Sequence, residues 1–199
     1  MYPPKHHQDC NEENIKSVAI AYPFATLISA QDTNAHITHV PLILNKNKLI
    51  GHIDANNPHL ELLKNDYPVT AVFKGPQTYI SPSIYTTDQL PTWNYIIAHA
   101  AGVVQEIKDP EVVKKSIVEM TDFLEQPHQY FQLSLEDPRM DRLIPYIHAF
   151  EIEVQQWEGK FKLSQDKIPA DIENAKQELI KNNQKNVADF INSLFDKHF

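Results

Sequence analysis

The stretch FATLISAQDTNAHITHVPLILNKNKLIGHI, residues 24–53, is the most direct indicator of the fold class. Three runs rich in β-branched and aromatic residues, 24–30, 36–44 and 48–53, are separated by short polar turns. This pattern predicts three consecutive antiparallel strands that form a meander. Pro41 lies inside the second run and cannot donate a ladder hydrogen bond, so we expect an edge position or a bulge there.

Further strand patterns follow the meander. Residues 69–73 and 93–104 are apolar, a short strand is predicted to begin at residues 78–80, and residues 147–154 alternate with period two. Several strands separated by frequent turns predict a small β-barrel, with the last of these runs as its final strand. The polar residues 158–167 are predicted to form a connector.

Helical patterns flank the strands, and Asp109-Pro110-Glu111 is typical of a helix start. The predicted helices span residues 11–20, 58–64, 109–124, part of 126–142, 170–182 and 187–195. The fold class is therefore predicted as α+β, mainly β, with peripheral helices and a C-terminal helical segment. We expect a barrel domain over residues 1–168 and a helical extension over residues 169–199.

Composition narrows the class of protein. The 199 residues include one cysteine, Cys10, which excludes an intrachain disulfide framework. The sequence has no apolar run long enough for a membrane span and no apolar stretch at its start that is typical of a secretory signal. These features together favour the cytoplasm. The net charge of -8 opposes non-specific attraction to DNA, although Lys160, Lys162 and Lys167 lie close together in sequence.

The motifs of the commonest catalytic and metal sites are missing. The ten histidines form no zinc pattern, and His36 and His39 are predicted to point to opposite faces of one strand. Haem ligation by His39 or His52 is an alternative. The four glycines form no phosphate-binding loop, and no nucleophile elbow is present, so no catalytic residue is assigned.

Two segments carry residue types that suit a ligand. Residues 81–94, SPSIYTTDQLPTWN, include Tyr85, Trp93 and Asn94, which can stack on a planar ligand or hydrogen bond to it, or can serve as core or dimer-interface residues. Residues 160–165 contain two lysines, a serine and a glutamine, which can hold a phosphate or form a solvated connector.

Five blocks in order carry a family resemblance: THVPLIL (38–44), GHIDANNP (51–58), FKGPQTYISPSIY (73–85), PTWNY (91–95) and KFKLSQDK (160–167). With these blocks, residues 1 to about 171 resemble the PaiB family of FMN-binding negative transcriptional regulators. That family has a split-barrel fold related to pyridoxamine-phosphate oxidases. The sequence departs from the usual family pattern at Ala55, Leu60 and Ile84.

The resemblance implies a homodimer that binds FMN at the subunit interface. It implies that residues 38–41 line the flavin ring, that a neighbouring strand and the 81–94 segment contribute, and that the 162–165 segment supplies polar contacts. The implied site residues are Thr38, His39, Val40, Pro41, His52, Ile53, Ser81, Ser83, Trp93, Asn94, Lys162, Ser164 and Gln165. The implied function is negative transcriptional regulation, with a flavin-dependent oxidoreductase as the alternative and direct DNA binding as a third hypothesis that rests on the family label alone.

Overall fold

The computed structural model describes residues 4–184, most of which belong to one antiparallel sheet and the helices beside it. The strands are β1 (Gln8–Asp9), β2 (Phe24–Gln31), β3 (Asn34–Asn45), β4 (Lys48–Asp54), β5 (Pro68–Ile80), β6 (Thr92–Ile107) and β7 (Ile147–Lys162). The α-helices are α1 (Glu12–Ala21), α2 (Pro110–Leu124), α3 (Pro138–Leu143) and α4 (Pro169–Asn183). Short 3₁₀ turns span Lys5–His7, Pro58–Glu61, Pro82–Ile84 and Ile144–Tyr146.

The sheet closes on itself. Its strand order is β1-β7-β4-β3-β2-β5-β6, and β6 also pairs with β7. The closing strands approach closely at Gly102, where an added Cβ would lie 2.2 Å from the carbonyl oxygen of Glu153. Only a residue without a side chain allows two backbones to come so near. The predicted meander and barrel are thus confirmed.

The chain divides into two compact units. The barrel unit comprises residues 8–75 and 97–160, and the loop unit comprises, among the described residues, 4–7, 76–96 and 161–184. Strands β5, β6 and β7 therefore begin or end in the loop unit. The predicted boundary at residue 168 stays a prediction, and the predicted helix over 187–195 lies outside the described residues.

The core of the barrel unit follows the period-two alternation of its strands. Leu27, Leu42, Phe73 and Phe150 come from four different strands and are fully buried. On the outer side of the sheet, α2 contacts β4. Ile50 of β4 is accordingly only 4% exposed although it points away from the barrel interior.

A second part of the outer side stays uncovered. Here β2 and β3 present Phe24, which is 65% exposed, and Ile37, which is 58% exposed. The strand register pairs the residues of this surface as Phe24–Pro41, Thr26–His39 and Ile28–Ile37. We call this surface the open face.

Two predicted boundaries are wrong. Residues 78–80 do not start a new strand, because β5 runs unbroken from Pro68 to Ile80. Proline at position 76 favours an extended conformation for Gly75 and has an extended-compatible φ of its own, so the pair continues the strand instead of turning it. The polar stretch from residue 158 is likewise not simply a connector, since β7 extends to Lys162.

At Pro41, β3 pairs with β2 alone, because its ladder with β4 covers only residues 42–45. Pro41 therefore lies at a local edge on the β4 side, as predicted, and no bulge interrupts the register with β2. Leu42 donates its N–H to Pro23, on the β2 side. Alternation directs position 41 towards β4, whose pairing with β3 begins only at Leu42. The missing N–H thus falls where no ladder bond is needed.

The predicted helices agree with the structure at α1, α2 and α4, with ends shifted by a residue or two, and α3 corresponds to the short helix predicted within residues 126–142. The short helix predicted to enter at residues 56–58 and to end at Asn65 is the 3₁₀ turn Pro58–Glu61. Its predicted start is correct, because the Asn57 side chain caps it through the N–H of His59. In the part of the chain that is described, no helix has the length and apolar character needed to cross a membrane.

Candidate functional site

The predicted residues of β3 lie on both faces of the strand. His39 and Pro41 belong to the open face, whereas Thr38 and Val40 point to the barrel interior. Val40 is 3% exposed, and Ile53 on β4 is 7% exposed. The side chains of Val40 and Ile53 therefore pack in the core, and only their backbone groups are open to other roles.

Thr38 belongs to a buried polar cluster that the sequence did not indicate. Its Oγ1 lies 2.8 Å from Nδ1 of His59, whose Nε2 lies 2.8 Å from Oγ of Ser29. His59 is 2% exposed, and burial, aided by the nearby His36, lowers its pKa. A neutral imidazole can accept at one nitrogen and donate at the other, so both ring nitrogens are matched.

The two histidines considered as haem ligands are engaged elsewhere. His52 Nε2 lies 2.8 Å from Oγ of Ser116, which ties β4 to α2. His39 Nδ1 lies 3.0 Å from Oγ1 of Thr26 across the open face. Among residues 4–184, no cluster of three or more His, Cys, Asp or Glu side chains could hold a metal ion.

In the loop unit, three predicted residues form a connected group. Asn94 and Ser164 are 1% and 3% exposed, and the Asn94 amide donates to Ser164 Oγ over 3.0 Å. Tyr85 Oη lies 2.9 Å from the same hydroxyl. Trp93 points the other way, as period two predicts; it is 49% exposed and donates to Gln77.

The remaining predicted residues of this unit mainly serve the local backbone. Ser81 Oγ accepts from the N–H of Ser83 and caps the 3₁₀ turn. The Gln165 side chain accepts from Leu163 N–H and donates to the carbonyl of Phe161. Of the predicted residues, Tyr85, Lys162 and Ser164 line the cavity described next.

The loop unit contains a cavity of about 700 Å³, a size typical of small-molecule sites. Its lining comes from His7, from residues of the segment 82–92, and from residues between 162 and 167 at and after the end of β7. Lys162 Nζ donates to Thr92 Oγ1, and Lys167 pairs with Asp166 over 2.8 Å. In the described part of the chain Lys162 forms no ion pair, so its charge is not neutralised by a carboxylate.

Asp171, near the start of α4, is a site-forming residue that the sequence did not reveal. It is fully buried and binds Thr86 and Thr87 of the cavity wall. Burial favours a higher pKa, but the hydrogen bonds from Thr87 and Thr86 outweigh it and lower the pKa of this carboxyl. In the sequence, Asp171 is simply an acid in the first turn of a predicted helix, and this pattern does not predict a partner more than eighty residues away.

The comparison with protein families identifies the chain. A family model described as "Putative FMN-binding domain" matches residues 1–156. The chain belongs to this family. The match covers the whole barrel unit except its last four residues, while Lys162, Ser164 and Asp171 lie beyond it.

Two curated relatives extend the match. "Protease synthase and sporulation protein PAI 2" of Bacillus subtilis is 28% identical over 210 residues, which cover 99% of this chain and 98% of that protein. "Uncharacterized protein YKL070W" of Saccharomyces cerevisiae is 26% identical over 137 residues, which cover 55% of this chain and 80% of that protein. The predicted resemblance to the PaiB family is thus confirmed.

Solved structures support the fold. The FAD and haem binding protein from Mycobacterium smegmatis superimposes with a TM-score of 0.64 at 14% identity, covering 78% of this chain and 73% of that one. The flavocytochrome Anf3 from Azotobacter vinelandii gives a TM-score of 0.60 at 14% identity, covering 80% and 72%. At such low identity the likeness concerns the fold alone, and it confirms the predicted split barrel.

His52 yields a prediction about stability and pH. Burial lowers its pKa from 6.5 to about 4, so its contribution is complete above about pH 6.5 and is lost as the pH falls towards 4. His52→Gln removes the titrating group but keeps an amide that can reach Ser116. From about pH 7.5 to about pH 4.5, we expect the wild type to lose about 2.5 kcal/mol more unfolding free energy than this variant.

Urea unfolding of both proteins at each pH measures this difference. His128→Gln, at an exposed histidine, is the control and should keep the pH dependence of the wild type. Parallel curves for wild type and His52→Gln would contradict the prediction.

Proposed function

We propose that the chain binds FMN, forms a homodimer and acts as a negative regulator of transcription. The family match over residues 1–156 carries the cofactor assignment. The relative that aligns over 99% of the chain is named for protease synthesis and sporulation, which supports a regulatory role. The net charge of -8 favours regulation through a bound ligand or protein partner over strong binding to DNA by the chain alone.

The cavity of the loop unit is the proposed position of the FMN phosphate. A phosphate needs a cation and hydrogen-bond donors, and Lys162 supplies an ammonium that no described carboxylate neutralises. Lys167 adds a second ammonium in the same lining. Because Lys167 is paired with Asp166 and Asp88 also lines the cavity, Lys162 is the residue that fits the anionic group. Bound FMN would supply hydride or electron transfer, and the residues of this chain would bind and orient it.

The open face is the proposed dimer surface. Phe24 and Ile37 expose more than half of their side-chain area there, and His39 and Pro41 belong to the same face. An exposed apolar patch of this kind typically marks an interaction site. A second copy would cover these residues and bring them to the interface at which the flavin is predicted to bind.

The phosphate assignment is tested with two ligands that differ only in that group. We expect the wild type to bind FMN more tightly than riboflavin, as measured by quenching of flavin fluorescence. Lys162→Ala should weaken FMN binding about tenfold or more, because a charge-assisted hydrogen bond is lost, and should leave riboflavin binding unchanged. Lys176→Ala, at an exposed lysine of α4, is the matched control.

A wild-type chain that binds no FMN would overturn the cofactor assignment. Equal loss of FMN and riboflavin affinity in Lys162→Ala would contradict the proposed position of the phosphate in the cavity.

The proposed dimer is tested by a substitution on the open face. Ile37→Asp places a charge on the open face and should convert a dimer into a monomer in light scattering after size exclusion. Val112→Asp, at a residue of α2 that is 44% exposed, should leave the mass unchanged. A monomeric wild type, or a dimeric Ile37→Asp variant, would contradict this part of the proposal.

Regulation and the enzymatic alternative predict different outcomes. Cells that lack the protein should show raised levels of a set of transcripts, which the restored protein lowers again. NAD(P)H oxidation in repeated turnovers by the purified FMN-bound protein, without a change in any transcript, would instead favour a flavin-dependent oxidoreductase.

A further inference from the structure

Asp171 is buried in the loop unit without a cation beside it. It is 0% exposed and, among residues 4–184, takes part in no ion pair. A buried charge is costly unless hydrogen bonds compensate for it. Here the backbone N–H and the hydroxyl of Thr86 donate to Oδ1 over 2.6 and 2.8 Å, and the Thr87 hydroxyl donates to Oδ2 over 2.5 Å.

The direction of these bonds distinguishes Asp171 from an ordinary helix-terminal acid. A carboxylate in the first turn usually interacts with the amides or the dipole of its own helix. The donors to Asp171 instead belong to Thr86 and Thr87, in the segment that lines the cavity. The carboxylate thus holds a loop, and α4 supports it further through the bond from Asn174 to the carbonyl of Ile84.

The held loop has few other attachments. Leu90 is 84% exposed, and residues 86–88 and 91 are also exposed. At one end the loop is held by the contact of Tyr85 with Ser164, and at the other by the contact of Lys162 with Thr92. Between these two ends, Thr86 and Thr87 contact the rest of the loop unit through Asp171.

The same bonds decide what the loop offers to a ligand. Because both threonine hydroxyls donate to Asp171, they present only oxygen lone pairs to the cavity, and Thr87 Oγ1 also accepts from Gln89. The cations of the lining are Lys162 and Lys167. Asp88 and Asp166 also line the cavity, and Asp166 is paired with Lys167. An anion that enters the cavity is therefore attracted to Lys162 and not to the two threonines.

We propose that Asp171 is a positioning residue, which holds the 86–91 loop in place and thereby orders the cavity so that an anionic phosphate binds at Lys162. This proposal rests on the proposed function for the identity of the ligand. It goes beyond the family match, which ends at residue 156. A preorganised loop improves affinity because less freedom is lost on binding.

The test compares FMN with riboflavin in Asp171→Asn, which keeps the shape of the side chain and removes its charge. We expect the ratio of the riboflavin Kd to the FMN Kd to fall about tenfold, with riboflavin binding unchanged. A general loss of structure would weaken both ligands alike. Glu173→Gln removes an exposed carboxylate two residues away on the same helix and should keep the wild-type ratio.

An unchanged or increased ratio in Asp171→Asn would overturn the proposal. If that variant does not fold, Thr87→Val removes a single donor and should lower the ratio in the same direction; a wild-type ratio in Thr87→Val would then overturn it.

A second measurement separates this inference from the proposed function. Without any flavin, amide hydrogen exchange of residues 86–90 should be at least about tenfold faster in Asp171→Asn than in the wild type. Unchanged exchange would overturn the positioning role even if FMN binds. Faster exchange together with a wild type that binds no FMN would support the loop contact and overturn the phosphate assignment.

Discussion

The close approach of β6 and β7 at Gly102 is the constraint on which the barrel depends. Without it the sheet would be open, and two long strands would have unpaired edges. The requirement is steric, because any side chain at this position would meet the backbone of Glu153. The same two strands run on into the loop unit, where β6 contributes Asn94 and β7 contributes Lys162. The strands that close the barrel thus also supply residues of the candidate site.

Buried polar groups hold each unit together beyond its apolar packing. In the barrel unit, His52 joins β4 to α2 and His59 joins β2 to β3, each through hydroxyl partners. In the loop unit, Ser164 and Asp171 perform the corresponding role for the segment around the cavity. Such groups favour a single arrangement, because any other leaves a desolvated donor or acceptor without a partner.

The strands were predictable where local pattern and tertiary structure agree. β2, β3 and β4 alternate or are continuously apolar between polar turns, and their turns are short, so neighbouring runs had to pair. The prediction was wrong where a local sequence pattern is compatible with two conformations. Gly75-Pro76 suits a turn or an extended strand, and the polar residues after Glu158 suit a connector or an exposed strand end. Pairing with other strands, which the local sequence does not specify, decided both.

The sequence by itself determined the class of fold, the family and the segments that carry ligand-binding residue types, because alternation, turn residues and ordered motifs are local properties. Only the tertiary structure separated the predicted residues by role. Val40 and Ile53 lie in the core, and the Gln165 side chain binds nearby backbone groups. Lys162 instead lines a cavity. The tertiary structure also joined Asp171 to Thr86 and Thr87, since a hydrogen bond between residues so far apart in sequence exists only once the chain has folded.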